Sequence, residues 1–192
     1  MSKSNFLDIY LSADHTIQDE SEEDPFPAYL DGIDTTLAPF CPTSANRVLK
    51  ALTMAKVQAG DNVVDLGSGD GRFITAAVAE FQATYALGIE SDPELVALSK
   101  QLAQQVTLDD ESRQKCIEFM EGDLLDLPER AWSVIVVFLL PDHTHKFADI
   151  LIKYYRQGAR IVSLVFNLNE IPELNMVASD EPDGIYVYQK KA

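Results

Sequence analysis

The stretch that decides the fold runs Asn62-Val63-Val64-Asp65-Leu66-Gly67-Ser68-Gly69-Asp70-Gly71-Arg72-Phe73. Its first part is a short apolar run with β-branched residues, which is typical of a buried parallel strand. The alternating glycines then allow a sharp turn and a close approach of the backbone to a ligand. Apolar residues from Phe73 onward predict a helix that packs back onto the sheet. A strand, a glycine loop and a helix N-terminus predict the nucleotide-binding corner of a doubly wound α/β domain.

The spacing of the glycines indicates which ligand this corner binds. A dinucleotide site has the pattern G-x-G-x-x-G, and counted from Gly67 its third glycine would fall at Arg72. The strand also ends in Asp65, whose carboxylate would repel a pyrophosphate but can hold an ammonium group. S-adenosylmethionine (SAM) carries an ammonium and a sulfonium and no phosphate. We therefore expect SAM to bind here, with a ligand-free glycine turn as the alternative; the cofactor-binding residues of this stretch would be Asp65, Gly67, Ser68, Gly69 and Gly71.

Two further acids follow the next two predicted strands. Residues 84–89 form a strand-like run that Glu90 closes, at the distance where an acid commonly binds the ribose hydroxyls. Glu90 as an exposed loop acid is the alternative. A third strand over 116–121 leads into Gly122 and Asp123, and Asp123 could accept a hydrogen bond from the adenine amine. Gly-Asp is also an ordinary turn pair, so that role has a structural alternative as well.

The fourth predicted strand, residues 132–140, is apolar throughout, as expected for a central strand that is buried on both faces. It is followed by Pro141, Asp142 and His143. Because α/β proteins carry their chemistry at the carboxyl ends of parallel strands, this edge should face the methyl group of the cofactor.

On these motifs the chain resembles the seven-strand (class I) SAM-dependent methyltransferases. More narrowly, it resembles the small lysine methyltransferases that act on mitochondrial adenine nucleotide translocase and on the ATP synthase c-subunit. The resemblance covers about residues 38–190, and its matching segments are 39–44, 64–72, 137–141 and 158–163. It implies a Rossmann-like sheet of seven strands with a C-terminal antiparallel hairpin, for which residues 181–184 supply the turn signal. It also implies protein-lysine N-methylation.

Methyl transfer to an amine requires that the protein position a neutral amine against the sulfonium. The expected catalytic residues are Phe138, Pro141 and Asp142: the first two, with the intervening leucines, would form an apolar rim. Asp142 or His143 would accept the proton or orient the amine, although a solvent-exposed residue at a helix start is the favoured interpretation of His143. Phe40 would cover the cofactor or pack in the core.

Three other functions remain open at this point. A polyamine synthase has a similar fold and an acidic pocket, but near the fourth strand only Asp142 would supply an acid. A methyltransferase that acts on a small molecule would share the cofactor site. A non-catalytic SAM-binding protein that activates a partner would also retain the glycine loop.

Charge favours a basic partner. The chain has 192 residues and a formal net charge of −16, which argues against a nucleic-acid substrate and suits a lysine-bearing protein. No apolar run has the length of a membrane span. The cysteines and histidines show no metal-ligand spacing, so we expect no metal.

The chain divides into an acidic N-terminal extension, residues 1–36, and a methyltransferase domain, residues 37–192. The extension has almost no basic residue, unlike a transit peptide. The two cysteines, Cys41 and Cys116, lie far apart in sequence and are interpreted as reduced thiols, so we expect a cytoplasmic protein. A solvated tail is the favoured interpretation of the extension, and a flap over the cofactor is the alternative. The domain should begin with a helix over about 43–56, capped by Thr43 or Ser44.

Overall fold

The structure is a computed structural model that describes residues 4–20, 41–138, 140 and 144–191, with side chains in the first range up to Asp14. Within these ranges the helices are α1 (Phe6–Glu20), α2 (Ala45–Met54), α3 (Arg72–Ala79), α4 (Pro93–Gln105) and α5 (Thr144–Arg156), with a 3₁₀ helix at Glu111–Cys116. The strands are β1 (Asn62–Leu66), β2 (Tyr85–Glu90), β3 (Ile117–Glu121), β4 (Val134–Val137), β5 (Arg160–Leu164), β6 (Met176–Asp180) and β7 (Ile185–Tyr188).

The strands form one sheet in the order β3-β2-β1-β4-β5-β7-β6. Strands β1 to β5 are mutually parallel, whereas β7 runs antiparallel to both β5 and β6. The order reverses between β1 and β4, and such a switch point is where open α/β sheets bind ligands. The predicted doubly wound, Rossmann-like sheet of seven strands with its C-terminal hairpin is therefore confirmed.

The fourth strand is shorter than the predicted 132–140. Val137 is its last residue and pairs with Leu66 on one side and Ser163 on the other. Both neighbouring strands end at about this level, so the apolar residues from Phe138 onward leave the ladder. Phe138 consequently lies just beyond the carboxyl end of β4 and is not part of the sheet.

Alternate residues of each strand enter one of two apolar layers. Val63, for example, packs in the layer that holds helices α1 to α4, whereas Val64 packs in the layer that holds α5. Because both faces are covered, the central strands are buried along almost their whole length. The ligand-binding edge is thereby fixed from both sides.

The first helix is part of the core. Phe6 and Tyr10 are 0% exposed, and the Asn5 side chain bonds to the Gln105 carbonyl and the Thr107 N–H. The interpretation of a solvated tail is therefore wrong for residues 4–14, because Phe6 and Tyr10 belong to the same apolar layer as α2 to α4. Residues 21–40, which contain most of the acidic run, lie outside the described residues. No helix in the described ranges has the length and apolarity that a membrane span requires.

Candidate active site

A cavity of about 800 Å³ opens at the carboxyl ends of β1, β2, β4 and β5. This volume lies within the usual range for cofactor sites. The glycine-loop end is lined by Asp65, Gly67, Ser68, Gly69, Glu90 and Asp123, among others. The opposite end is lined by Phe138, Leu140, Lys146, Phe147 and Leu164, and Cys41, Pro42 and Thr43 line a third side.

The glycine loop is held against the end of β2 by backbone hydrogen bonds. The N–H groups of Gly67 and Ser68 both donate to the Ile89 carbonyl, at 2.9 and 3.0 Å. Gly67 and Gly69 have φ angles of +87° and +51°, in the left-handed region that side chains rarely adopt. Both glycines line the cavity, as predicted.

Gly71 has a packing role that was not predicted from the sequence. It does not line the cavity, and a Cβ at this position would lie 2.5 Å from the Phe119 ring and 2.7 Å from the Ser99 Cβ. Its φ angle is +79° at the start of α3. The structure thus requires Gly71 for packing of the loop against β3 and α4. Cofactor contact by Gly71 stays a prediction from the sequence.

Asp65 and Ser68 are two buried polar residues that line the cavity. The Asp65 side chain accepts no hydrogen bond from the described residues, and the residue is only 4% exposed. Burial, reinforced by the nearby charges of Glu90 and Asp70, raises the pKa of Asp65 well above its usual value. The Ser68 hydroxyl is buried and also lacks a partner in the described structure. A ligand ammonium would supply the missing donor for Asp65, so these residues fit SAM.

Ser68 occupies this position because β2 carries a glycine opposite it. A Cβ on Gly88 would lie 2.5 Å from the Ser68 hydroxyl oxygen. Gly88 is also paired with Asp65 across the sheet. This glycine was not predicted from the sequence to support the site, although its place inside a strand pattern signals close approach of another segment.

Glu90 joins the glycine loop to the start of α4. Its Oε2 accepts a hydrogen bond from the Gly69 N–H at 2.9 Å, and its Oε1 accepts from the N–H groups of Ser91 and Asp92 at 2.8 and 3.0 Å. The carboxylate also lines the cavity at the end of β2, where the sequence predicts ribose binding. Glu90 therefore holds the glycine loop in place and is also a candidate ribose-binding residue.

Asp123 lies on the exposed rim of the cavity. One of its carboxylate oxygens accepts from the Leu125 N–H at 2.8 Å. Leu124 and Leu125 line the cavity beside it and offer an apolar surface for a flat base. This placement is compatible with the predicted contact to adenine.

The opposite end of the cavity is apolar and aromatic except for Lys146. Phe138 lines it, and its ring packs against that of Phe166, with centroids 6.5 Å apart at an angle of 50°. Phe40, Pro141 and Asp142 lie outside the described residues, as do Leu139 and His143. Of the three predicted catalytic residues, the structure therefore describes Phe138 alone.

A strained turn brings Phe166 to this position. Val165 has φ +65°, which is unusual for a β-branched residue, and the Phe166 N–H donates to the Leu164 carbonyl across it. The Val165 N–H donates to the Gly184 carbonyl at 2.7 Å, and the Ser163 hydroxyl donates to the Phe166 carbonyl at 2.6 Å. Nothing in the local sequence signals this turn, because β5 and the hairpin impose it from outside.

The described residues contain no cluster of histidine, cysteine or acidic side chains that could hold a metal ion. The described residues that line the cavity supply carboxylates, backbone N–H groups and an apolar wall.

Comparison with known proteins identifies the family. The profile of the ANTKMT methyltransferase domain matches residues 65–175. A protein-lysine N-methyltransferase of Saccharolobus islandicus is 30% identical over 132 residues, which cover 68% of this chain and 78% of that protein. The ATP synthase C-subunit lysine N-methyltransferase of Xenopus laevis is 30% identical over 152 residues, which cover 78% of this chain. The chain spans 62% of that relative and 52% of the human one.

A solved structure supports the same assignment. The RNA methyltransferase from Salinibacter ruber, in complex with S-adenosyl-L-homocysteine (SAH), superimposes with a TM-score of 0.64 and 30% identity. The match covers 78% of this chain and 92% of that one. The predicted cofactor and enzyme class are thus confirmed. The chain belongs to the ANTKMT methyltransferase family and is a SAM-dependent methyltransferase.

Proposed function

We propose that the protein transfers the methyl group of SAM to the side-chain amine of a lysine in a basic protein. One structural observation carries the choice of an amine acceptor. The cavity end formed by Phe138, Leu140 and Leu164 is apolar, and it lies across from the polar glycine-loop end. The names of the archaeal and vertebrate relatives support lysine as the source of that amine.

In this proposal the polar end orients the cofactor. Asp65 pairs with the ammonium. Glu90 accepts hydrogen bonds from the ribose hydroxyls while it keeps the glycine loop in place. The backbone of Gly67, Ser68 and Gly69 lies close to the cofactor, and Asp123 accepts a hydrogen bond from the adenine amine. Phe40 as a cover over the cofactor stays a prediction from the sequence. Bound SAM supplies a methyl group on an electrophilic sulfonium.

The apolar end prepares the acceptor. A lysine that enters between Phe138 and Leu164 loses water, and this loss favours the neutral amine, which has the lone pair needed for attack. The aromatic pair also holds the alkyl chain in one direction, toward the sulfonium. Pro141 as part of the rim and Asp142 as proton acceptor or orienting group stay predictions from the sequence.

The overall charge supports a basic partner. With a net charge of −16, the protein attracts lysine-rich surfaces and repels phosphate backbones. The name of the Salinibacter relative would favour an RNA acceptor, but this chain offers only 15 lysines and arginines against 31 acids. A cytoplasmic location also stays a prediction.

The polyamine-synthase alternative is disfavoured by the same apolar end. It needs carboxylates around the amine, and the described residues that line the ends of β4 and β5 include none. Lys146 is their one charged member. The following experiment distinguishes lysine methylation from methylation of a small molecule and from a non-catalytic role.

The test is methyl transfer from labelled SAM into a hypomethylated lysate, with and without ribonuclease. We expect label on lysine residues of protease digests, unaffected by ribonuclease and lost in an Asp65→Asn variant. Label in RNA or in the small-molecule fraction, with none on lysine, would contradict the proposal. No label in any fraction, despite SAH binding by the wild type, would favour the non-catalytic alternative.

A further inference from the structure

The residue that stands in place of a third glycine, Arg72, is the centre of a buried cluster. It is 2% exposed, and its Nε donates to Asp70 Oδ1 at 2.8 Å while its Nη2 pairs with Asp70 Oδ2 at 2.5 Å. Its Nη1 donates to Asp14 of α1 at 2.6 Å and to the Thr43 carbonyl at 2.5 Å. One guanidinium therefore joins the glycine loop, the first helix and the segment that precedes α2.

Asp14 has a second task in this cluster. Its Oδ2 accepts a hydrogen bond from the N–H of Ala45, the first residue of α2, at 3.3 Å. Ser44 occupies the predicted N-cap position but makes no side-chain capping bond. An acid from another helix thus supplies the cap, which explains why the local prediction of Thr43 or Ser44 as capping side chain is not realised.

Tyr10 gives α1 a second contact with the loop. Its hydroxyl donates to the Thr75 hydroxyl at 3.0 Å and lies 3.4 Å from the Asp70 carbonyl. The Arg72 guanidinium lies 5.5 Å from the centre of the Tyr10 ring. Because Tyr10 is fully buried, this side of the cluster is closed to solvent.

The cluster connects two walls of the cofactor cavity. Cys41, Pro42 and Thr43 line one wall, and Asp70 and Arg72 line another, whereas Asp14 does not line the cavity. When Arg72 binds both the Thr43 carbonyl and Asp70, it fixes the distance between these walls. The Asp14 carboxylate in turn accepts hydrogen bonds from both the Arg72 side chain and the first N–H of α2.

We propose that Asp14 is a positioning residue for SAM and that α1 therefore belongs to the cofactor site. Without Asp14, the walls sample arrangements that do not fit the cofactor, and the apparent affinity falls with the fraction of fitting arrangements. The helix acts without touching SAM.

Removal of Asp14 leaves no unpaired charge in the cluster. Asp14, Asp70 and Arg72 together carry one excess negative charge, so removal of Asp14 leaves the neutral Arg72–Asp70 pair. Although burial disfavours the charged form, the hydrogen bonds from Arg72 to both acids raise the pKa of Arg72 above its ordinary value. Asp14→Ala should therefore stay folded, and Asp14→Asn, which keeps the shape but only one acceptor oxygen, should be milder.

Calorimetric titration with SAH tests the proposal and needs no methyl acceptor, so it is independent of the lysine assignment. We expect Asp14→Ala to raise the SAH dissociation constant about tenfold, as for a fall of the fitting population to about a tenth. Asp14→Asn should lie between Asp14→Ala and wild type. Asn5→Ala is the matched control, because it removes the hydrogen bonds to Gln105 and Thr107 that hold the start of the N-terminal segment and keeps the Arg72 cluster.

The control separates positioning from mere stability. Asn5→Ala should lower the unfolding temperature and leave the SAH dissociation constant unchanged. If Asp14→Ala also loses only unfolding temperature and binds SAH as wild type does, the proposal is wrong. Should Asp14→Ala not fold, wild-type affinity in Asp14→Asn would overturn the proposal in the same way.

Discussion

The two ends of the cavity differ in how they are built. At the glycine-loop end, carboxylates that include Asp65, Glu90 and Asp123 line the cavity beside a backbone held in left-handed conformations. At the other end, the described lining is apolar except for Lys146, and an aromatic pair is fixed by the strained turn at Val165. One end offers fixed partners to a charged ligand, and the other offers a mainly apolar surface. The comparison assigns cofactor recognition to the first and preparation of the acceptor to the second.

Asp65→Asn should produce the largest change. It removes the partner of the ammonium, so SAM affinity should fall about 30- to 150-fold, the equivalent of about 2–3 kcal/mol. The same change should raise the unfolding temperature, because it removes a buried carboxylate that has no partner in the described structure. Calorimetry and thermal unfolding measure the two effects. Asp123→Asn is the control, and this substitution at an exposed residue should leave the unfolding temperature unchanged. A loss of both stability and SAM affinity in Asp65→Asn would refute the role of Asp65.

Glu90→Ala should have the next largest effect. The loss of SAM affinity should be about 1–3 kcal/mol, because charge-assisted bonds to the ribose disappear. Stability should also fall, since the N–H groups of Gly69, Ser91 and Asp92 lose their acceptor. Glu90→Gln keeps one acceptor oxygen and should be milder on both counts. Wild-type SAM affinity in a folded Glu90→Ala variant would show that the ribose binds elsewhere.

Phe138→Ala should separate the two ends. Methyl transfer into lysate protein should fall about tenfold, about 1.4 kcal/mol, because the apolar wall is opened to water. SAH affinity should stay at the wild-type value. Phe166→Ala should weaken transfer less, since its ring contacts Phe138 from outside the lining. If SAH binding falls as much as transfer does, Phe138 belongs to the cofactor end and the comparison fails.

Proton release should be the smallest signal. Burial first, and then the charges of Glu90 and Asp70, raise the pKa of Asp65 in the free protein, so the folded state binds more protons than the unfolded chain. This contribution makes stability fall as pH rises from the ordinary pKa through the raised one. A bound ammonium lowers the pKa again, so SAM binding should release up to one proton below the raised pKa. Calorimetry in buffers of different ionisation enthalpy measures this release, which Asp65→Asn should abolish.

The cofactor end was predictable because its determinants are local. The glycine spacing, the carboxylate at the end of β1 and Glu90 at the end of β2 each follow from a short run of residues. The hairpin was predictable for the same reason, since residues 181–184 carry a turn signal. The strand that leads to Phe138 was placed correctly, but its length was not, because its neighbours decide where the ladder ends.

The remaining features depend on contacts between distant segments. The Asp14–Arg72 pair joins residues 58 positions apart, and no spacing rule connects them. The role of Gly71 depends on the Phe119 ring of another strand. The acidic composition of residues 1–36 favoured a solvated tail, yet Phe6 and Tyr10 lie within that segment and are fully buried. Composition averaged over a segment conceals a few apolar residues at helical spacing.

A crystal structure of the protein with SAH tests the central claim most directly, because it shows which end of the cavity holds which part of the cofactor. The account predicts the ammonium within hydrogen-bonding distance of Asp65, the ribose hydroxyls at Glu90 and the sulfur facing Phe138. SAH bound in the reverse direction, with its sulfur beside Glu90 or its adenine against Phe138, would contradict the division of the cavity into a cofactor end and an acceptor end.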